Sequence, residues 1–295
     1  MSRRHETVSL VLGSGGARGH AHIGVIKAIE ESGLEIRNIA GTSMGSVIGG
    51  IYAAGELDTY IEWVRRLEKK DVVKLLDLSF STVSIFKGER IFKVLKELIG
   101  DREIEELDRG FTAVAAAIEE QREVWLNKGP LFQAIRASTA VPGVFSPVKV
   151  AGRVLVDGGI VNPIPIAPTL SDATDLTIAV NLNSIVETYT PESDEPVPDD
   201  DEEPDGYREK IQQFLGDLMS NGDDAGATPD ATDLLIRSVD VMQGAIARLK
   251  LAAYTPDMVI EIPRDACSFF EFDRASELTE LGYKQACKAL ANLDT

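Results

Sequence analysis

The chain has 295 residues, is 44% hydrophobic and 26% charged, and carries a formal net charge of -18. That is long enough for one large α/β domain, and the composition is that of a water-soluble globular protein. Nucleic acid is excluded as a partner because no lysine and arginine cluster offsets the acidity, and two cysteines, Cys267 and Cys287, are too few for a disulfide framework or a metal site.

In chain order, the first predicted strand covers residues 7–12 and runs straight into a glycine-rich turn, LVLGSGGARGHAHIG, at residues 10–24. Glycines between a strand and a helix leave backbone N–H groups at a helix N-terminus, where negative charge is stabilised. The spacing fits neither phosphate-binding loop. A dinucleotide fingerprint needs its third glycine where Arg18 stands, one residue before Gly19, and a P-loop needs a lysine that does not occur before Lys27. A tight turn without a ligand, and a loop that receives a negative charge only during a reaction, are the readings left open at this point.

A helix follows over residues 19–32, a strand over Glu35–Ala40, a second glycine turn, and a helix over Ser43–Ala54. Residues 38–55 hold no charge, but their five glycines and short apolar portion predict a strand end, a turn and a buried helix rather than a membrane span. The turn itself, GTSMG, is a G-x-S-x-G nucleophile elbow with Gly41 and Gly45 about Ser43. A serine on such a turn projects its hydroxyl over the end of the sheet. Beyond it, residues 56–100 read as a helical cap, with Ile91, Val94, Leu95 and Leu98 on one helical face. An ordinary packed insertion and a lipid-facing surface are the competing readings of that region.

Strands are predicted at residues 111–118 and 122–127, a short helix at 131–138, a hairpin at 148–156 turning through Ala151-Gly152, and a buried strand at 175–182. Residues 187–233 contain sixteen acidic and two basic side chains, so this one segment carries -14 of the net charge. Its prolines and glycines mark a flexible acidic insertion at about 187–232 within a single domain spanning 1–295. A helix at 232–252, a strand at 258–262 and a final helix at 275–291 complete the chain. The strand-helix alternation predicts an α/β fold with a mostly parallel sheet.

A serine nucleophile needs a base. All three histidines, His5, His20 and His22, precede Ser43, which excludes the usual serine, acid, histidine order. His20 and His22 leave a reordered triad open, with a surface and a packing role as the alternative. Otherwise the base is a carboxylate, and VDGGIVNPIP offers Asp157 on a glycine turn that another loop or a ligand can approach; a simple Asp-Gly hairpin cap is the competing reading.

Four blocks in order, LGSGGARGHAHIGV, GTSMGS, ASTAVPGVFSPV and DGGIVNPIP, resemble the patatin-like phospholipases, particularly the single-domain bacterial members and the catalytic domain of neuropathy target esterase. The resemblance covers residues 7–182 strongly and 234–290 weakly. It implies a three-layer α/β/α sandwich, a Ser43-Asp157 dyad, and a glycine-rich loop that serves as an oxyanion hole through Gly15, Gly16, Ala17 and Arg18, with Met44 adding the N–H that follows the nucleophile. The implied activity is hydrolysis of lipid carboxylic esters, of phospholipase A or lysophospholipase type, without metal or cofactor. The expected setting is cytoplasmic, with transient peripheral membrane contact and an open oligomeric state. A catalytically idle lipid- or protein-binding adaptor and a nucleotide-binding oxidoreductase are the alternatives.

Overall fold

The computed structural model describes residues 6–76, 88–185 and 231–293. Most of the acidic insertion and the middle of the proposed cap lie outside these residues. Eight strands form one sheet: β1 (Thr7–Leu12), β2 (Glu35–Thr42), β3 (Gly110–Ala117), β4 (Arg122–Leu126), β5 (Val148–Val150), β6 (Arg153–Asp157), β7 (Leu176–Ser184) and β8 (Met258–Pro263). Its central strands run in the order β3-β2-β1-β7-β8, all parallel. The helices are α1 (Ala21–Glu31), α2 (Met44–Ala53), α3 (Leu57–Val64), α4 (Lys69–Leu76), α5 (Glu89–Ile99), α6 (Leu131–Ser138), α7 (Ala231–Tyr254) and α8 (Ala275–Leu290).

Alternation along β1 builds the layers. Leu10 and Leu12 join the main core with Ile23, Ile26, Ile48 and Ile51 of α1 and α2, whereas Val11 joins Ile164, Ile166 and Ala247 of α7. Side chains of successive residues leave a strand on opposite faces, so helices cover both sides and the sandwich has three layers. The predicted strand 35–40 runs two residues further, to Thr42, and the predicted helix 19–32 begins instead as a 3-10 turn at Gly16–His20. The hairpin turns through Ala151 (φ 48°) and Gly152 (φ 82°) as expected, both left-handed.

The edge of β3 decides where the site sits. Residues 113–117 of β3 pair with β4 on one edge. On the other edge β2 runs parallel to β3 as far as Thr42↔Val114, and β6 takes over at Ala115↔Asp157, running the opposite way. The C-terminal ends of β2 and β6 therefore meet head-on along a single neighbour.

Helices α1 and α8 touch backbone to backbone. A Cβ on Gly24 would lie 1.9 Å from Thr279 O, and one on Gly282 would lie 2.0 Å from Ala21 O. Gly24→Ala is expected to force the pair apart and lower stability by about 1–3 kcal/mol, the usual penalty of overpacking; urea unfolding will show a lower midpoint at an unchanged slope.

Candidate active site

Ser43 follows Thr42 at the top of β2 and has φ 54° and ψ -124°, a strained conformation for a residue with a Cβ. The elbow glycines make the turn possible by close approach: a Cβ on Gly41 would lie 2.5 Å from Gly45 O, and one on Gly45 would lie 2.1 Å from Leu12 O. Ser43 N–H donates to Ser138 Oγ at 3.0 Å, and Ser138 Oγ donates to Val114 O at 2.6 Å. Thr42 Oγ1 donates to Asn162 O at 3.0 Å, which ties the elbow to the loop that follows Asp157. These bonds hold a strained residue against relaxation.

Asp157 ends β6 and is buried. Its backbone N–H donates to Ala140 O at 2.9 Å, and its Oδ1 accepts from Gly159 N–H at 2.7 Å. Oδ2 is buried without a hydrogen-bond partner. Burial pushes the carboxyl up to about 7, and the neighbouring Ser43 hydroxyl and the Gly159 N–H oppose the rise. The Ser43 hydroxyl thus acts on the carboxyl without closing a hydrogen bond of good geometry. A side chain on Gly158 would place its Cβ 2.2 Å from Val114 O, so the turn carrying Asp157 has to be glycine to lie this close to β3.

The glycine-rich loop stands beside the elbow, because Leu12 and Gly41 are paired across β1 and β2. Its donors divide. Ala17 N–H already donates to Phe269 O at 3.0 Å, whereas Gly15, Gly16 and Met44 N–H have no acceptor among the described residues. The Arg18 guanidinium, counted by the resemblance among the oxyanion-hole residues, is engaged elsewhere: Nη2 pairs with Asp240 Oδ1 at 2.6 Å and Nη1 donates to Arg264 O at 3.0 Å. The loop's shape is held by Ser14, whose Oγ donates to Gln243 Oε1 at 3.0 Å and whose carbonyl accepts from Asn183 Nδ2 at 3.2 Å.

Neither buried histidine bonds to Ser43. His22 Nε2 donates to Gly13 O at 2.9 Å, and His20 Nε2 bonds Tyr60 Oη at 3.0 Å. Burial lowers both to about 4, so both rings are neutral at pH 7. They pack and brace the loop, and the reordered triad has no geometry to support it. Several supports of the site escape the sequence: Ser138 and Ala140, which hold the elbow and Asp157, show there only as part of a block, and Gln243, Asp240 and Phe269 reach the loop from more than 200 positions away, where spacing carries no signal.

A narrow apolar cavity opens beside Ser43. Its walls include Tyr60 and Val64 of α3, Val72 of α4, Leu95 of α5, and Phe269, together with Gly16, Ser43 and Met44. The region read as a cap thus contributes one side of a cavity that Ser43 also lines.

A strand-to-helix serine elbow at the carboxyl ends of a mostly parallel sheet is the arrangement of α/β hydrolytic proteins. The chain belongs to the patatin-like phospholipases: that family model matches residues 10–170. It is 36% identical to an uncharacterized NTE family protein of Mycobacterium tuberculosis, over 96% of this chain and 91% of that one. It is 30% identical to lysophospholipase NTE1 of Coccidioides immitis, over 95% of this chain but 17% of that much longer one. Among solved structures, VipD from Legionella pneumophila matches with a TM-score of 0.50 at 14% identity, covering 98% of this chain and 67% of VipD, a likeness of fold. No helix among the described residues is long and apolar enough to cross a membrane.

The raised value of Asp157 links the site to stability. Its folded value of about 7 exceeds its ordinary 3.8, so the folded state is favoured while the carboxyl is protonated and is progressively penalised as pH rises from about 4 through 7. Asp157→Asn removes that penalty and keeps an acceptor for Gly159 N–H. The variant is expected to melt above the wild type at pH 8, with an advantage of a few kcal/mol at about 1.4 kcal/mol for each tenfold change in proton affinity, and to converge with it near pH 4.

Proposed function

We propose that the protein hydrolyses carboxylic esters of lipids through a Ser43-Asp157 dyad. The observation that carries this reading is the head-on meeting of β2 and β6, which sets a strained serine beside a buried, unsatisfied carboxylate oxygen, with the serine on the wall of an apolar cavity. Asp157 takes the proton of Ser43 as the serine oxygen attacks the ester carbonyl. The carbonyl π electrons move onto its oxygen, which the free N–H groups of Gly15, Gly16 and Met44 receive; each such donor is worth about 3–4 kcal/mol in the transition state. Collapse expels the alcohol, which recovers the proton from Asp157, and water activated by the same carboxylate then releases the fatty acid and regenerates Ser43.

In this reading Ala17 and Arg18 shape the loop rather than donate to the oxyanion. An acid whose value lies near 7 is also well placed to exchange a proton at neutral pH, where a carboxylate at its ordinary value would be a poor base. The acyl chain occupies the cavity and the polar part of the substrate stays outside, so the fit is to a lipid with at least one chain. The lysophospholipase name of the fungal relatives agrees with that class.

The test is labelling with a fluorophosphonate alongside turnover of short- and long-chain acyl esters. Wild type is expected to label and Ser43→Ala to remain unlabelled. Asp157→Asn is expected to lose about 10²–10⁴ in kcat/KM, the range for general acid-base groups, and wild-type kcat/KM should climb with pH to a plateau above about 7 as the base form is populated. A folded wild type that neither labels nor turns over any ester would instead favour the binding adaptor. Leu95→Trp, which fills the cavity, should depress kcat/KM for long-chain esters at least tenfold more than for acetyl esters, an effect of about 1.4 kcal/mol; equal loss on both would show that the chain binds elsewhere.

A further inference from the structure

Helix α7 shows two faces. Its inner face holds Gln243, Gly244 and Ala247, all buried against the sheet and the glycine-rich loop. Its outer face is apolar and largely exposed: Leu235, Met242 and Leu249 are 45%, 51% and 71% exposed, Leu234 and Val241 flank them, also exposed, Leu235 rests in part on Gly143, and Ala245 is half-buried. Together these are five of the nine large hydrophobic side chains exposed among the described residues, and the five share one helix.

The spacing of that face is more specific than a greasy stripe. Residues 235, 238, 242, 245, 249 and 252 alternate steps of three and four, the seam of a coiled coil, and none is charged. Large and small residues alternate along it as Leu235, Ser238, Met242, Ala245, Leu249 and Ala252. Reversing the order exchanges every large residue for a small one: Leu235 maps onto Ala252, Ser238 onto Leu249, and Met242 onto Ala245. All three pairs share one midpoint, between Gln243 and Gly244.

We propose that this face pairs with the same face of a second copy of the chain, antiparallel about a twofold axis passing between residues 243 and 244. In that arrangement each large side chain sits over a small one of the partner, and the patch is self-complementary, as a twofold interface requires. The small residues let the two helices approach to about 8 Å. The seam is about 26 Å long at 1.5 Å per residue, which makes the contact smaller than a standard interface and the dimer weak and concentration-dependent. A lipid surface fits less well: Arg237 and Arg248 flank the stripe, but they belong to a chain of -18, which an anionic lipid surface repels. Two chains of -18 repel, so the dimer strengthens as salt screens them.

The test is sedimentation velocity of the full chain from low to high micromolar concentration at two salt concentrations. A dimer that grows with both is expected, and Met242→Lys should be monomeric with unaltered circular dichroism and melting temperature, since the side chain it replaces is exposed. Orientation is read in a Cys287→Ser background, Cys267 being buried. A short bismaleimide should link Ala245→Cys to its copy and leave Leu235→Cys unlinked, because antiparallel pairing separates the two Leu235 positions by about 26 Å. Linking of both overturns the antiparallel arrangement. A monomer at every concentration overturns the pairing itself. In that case phosphatidylcholine vesicles that bind wild type but not Met242→Lys would assign the face to lipid, and slow maleimide reaction of Met242→Cys would assign it to cover by residues 186–230.

Discussion

The site depends on a strand that has two successive neighbours on one edge. Val114 and Ala115 are adjacent in β3, and their partners are Thr42 and Asp157. Since a strand rises about 3.3 Å per residue, that pairing alone brings the residue after Thr42 to within a side chain's reach of Asp157. No helix packing or loop conformation has to find the geometry; hydrogen bonds of the sheet set it. The remaining features serve this junction: Ser138 and Thr42 fix the elbow, Ala140 and Gly159 fix Asp157, and the glycines at 41, 45 and 158 remove the Cβ atoms that would keep the pieces apart.

The same closeness creates the electrostatic condition at the site. A carboxyl shut into the junction, with an apolar cavity nearby, loses its hydration and holds its proton to near neutrality. The strained Ser43 backbone and the buried Asp157 both cost folding free energy. Both are sustained by a core in which long apolar side chains of β1, α1 and α2 are almost wholly inaccessible.

Much of this was legible in the sequence because it is local. The strand, glycine turn and helix around Ser43 lie within 20 residues, and the glycines at 41 and 45 stand in the GTSMG motif itself. The Ala151-Gly152 turn was equally plain. Which groups face the loop was not legible. Ala17 and Arg18 sit in a glycine-rich turn like their neighbours, yet the N–H of one and the guanidinium of the other are engaged by Phe269, Arg264 and Asp240, residues brought there only by the course of β8 and α7. The two histidines beside the loop invited a catalytic reading, and only burial shows them to be neutral braces.

The loop's dependence on distant anchors has a consequence for the order of synthesis. Ser14 waits for Gln243 and Arg18 for Asp240, separations of 229 and 222 residues, while Ser43 and Asp157 are both present once little more than half the chain has been made. Domains begin folding from the N-terminus as they emerge, and contacts this long in sequence close late. A nascent chain therefore carries Ser43 and Asp157 well before the glycine loop has its final supports, and the ribosome holds an incomplete arrangement until nearly the last helix is out.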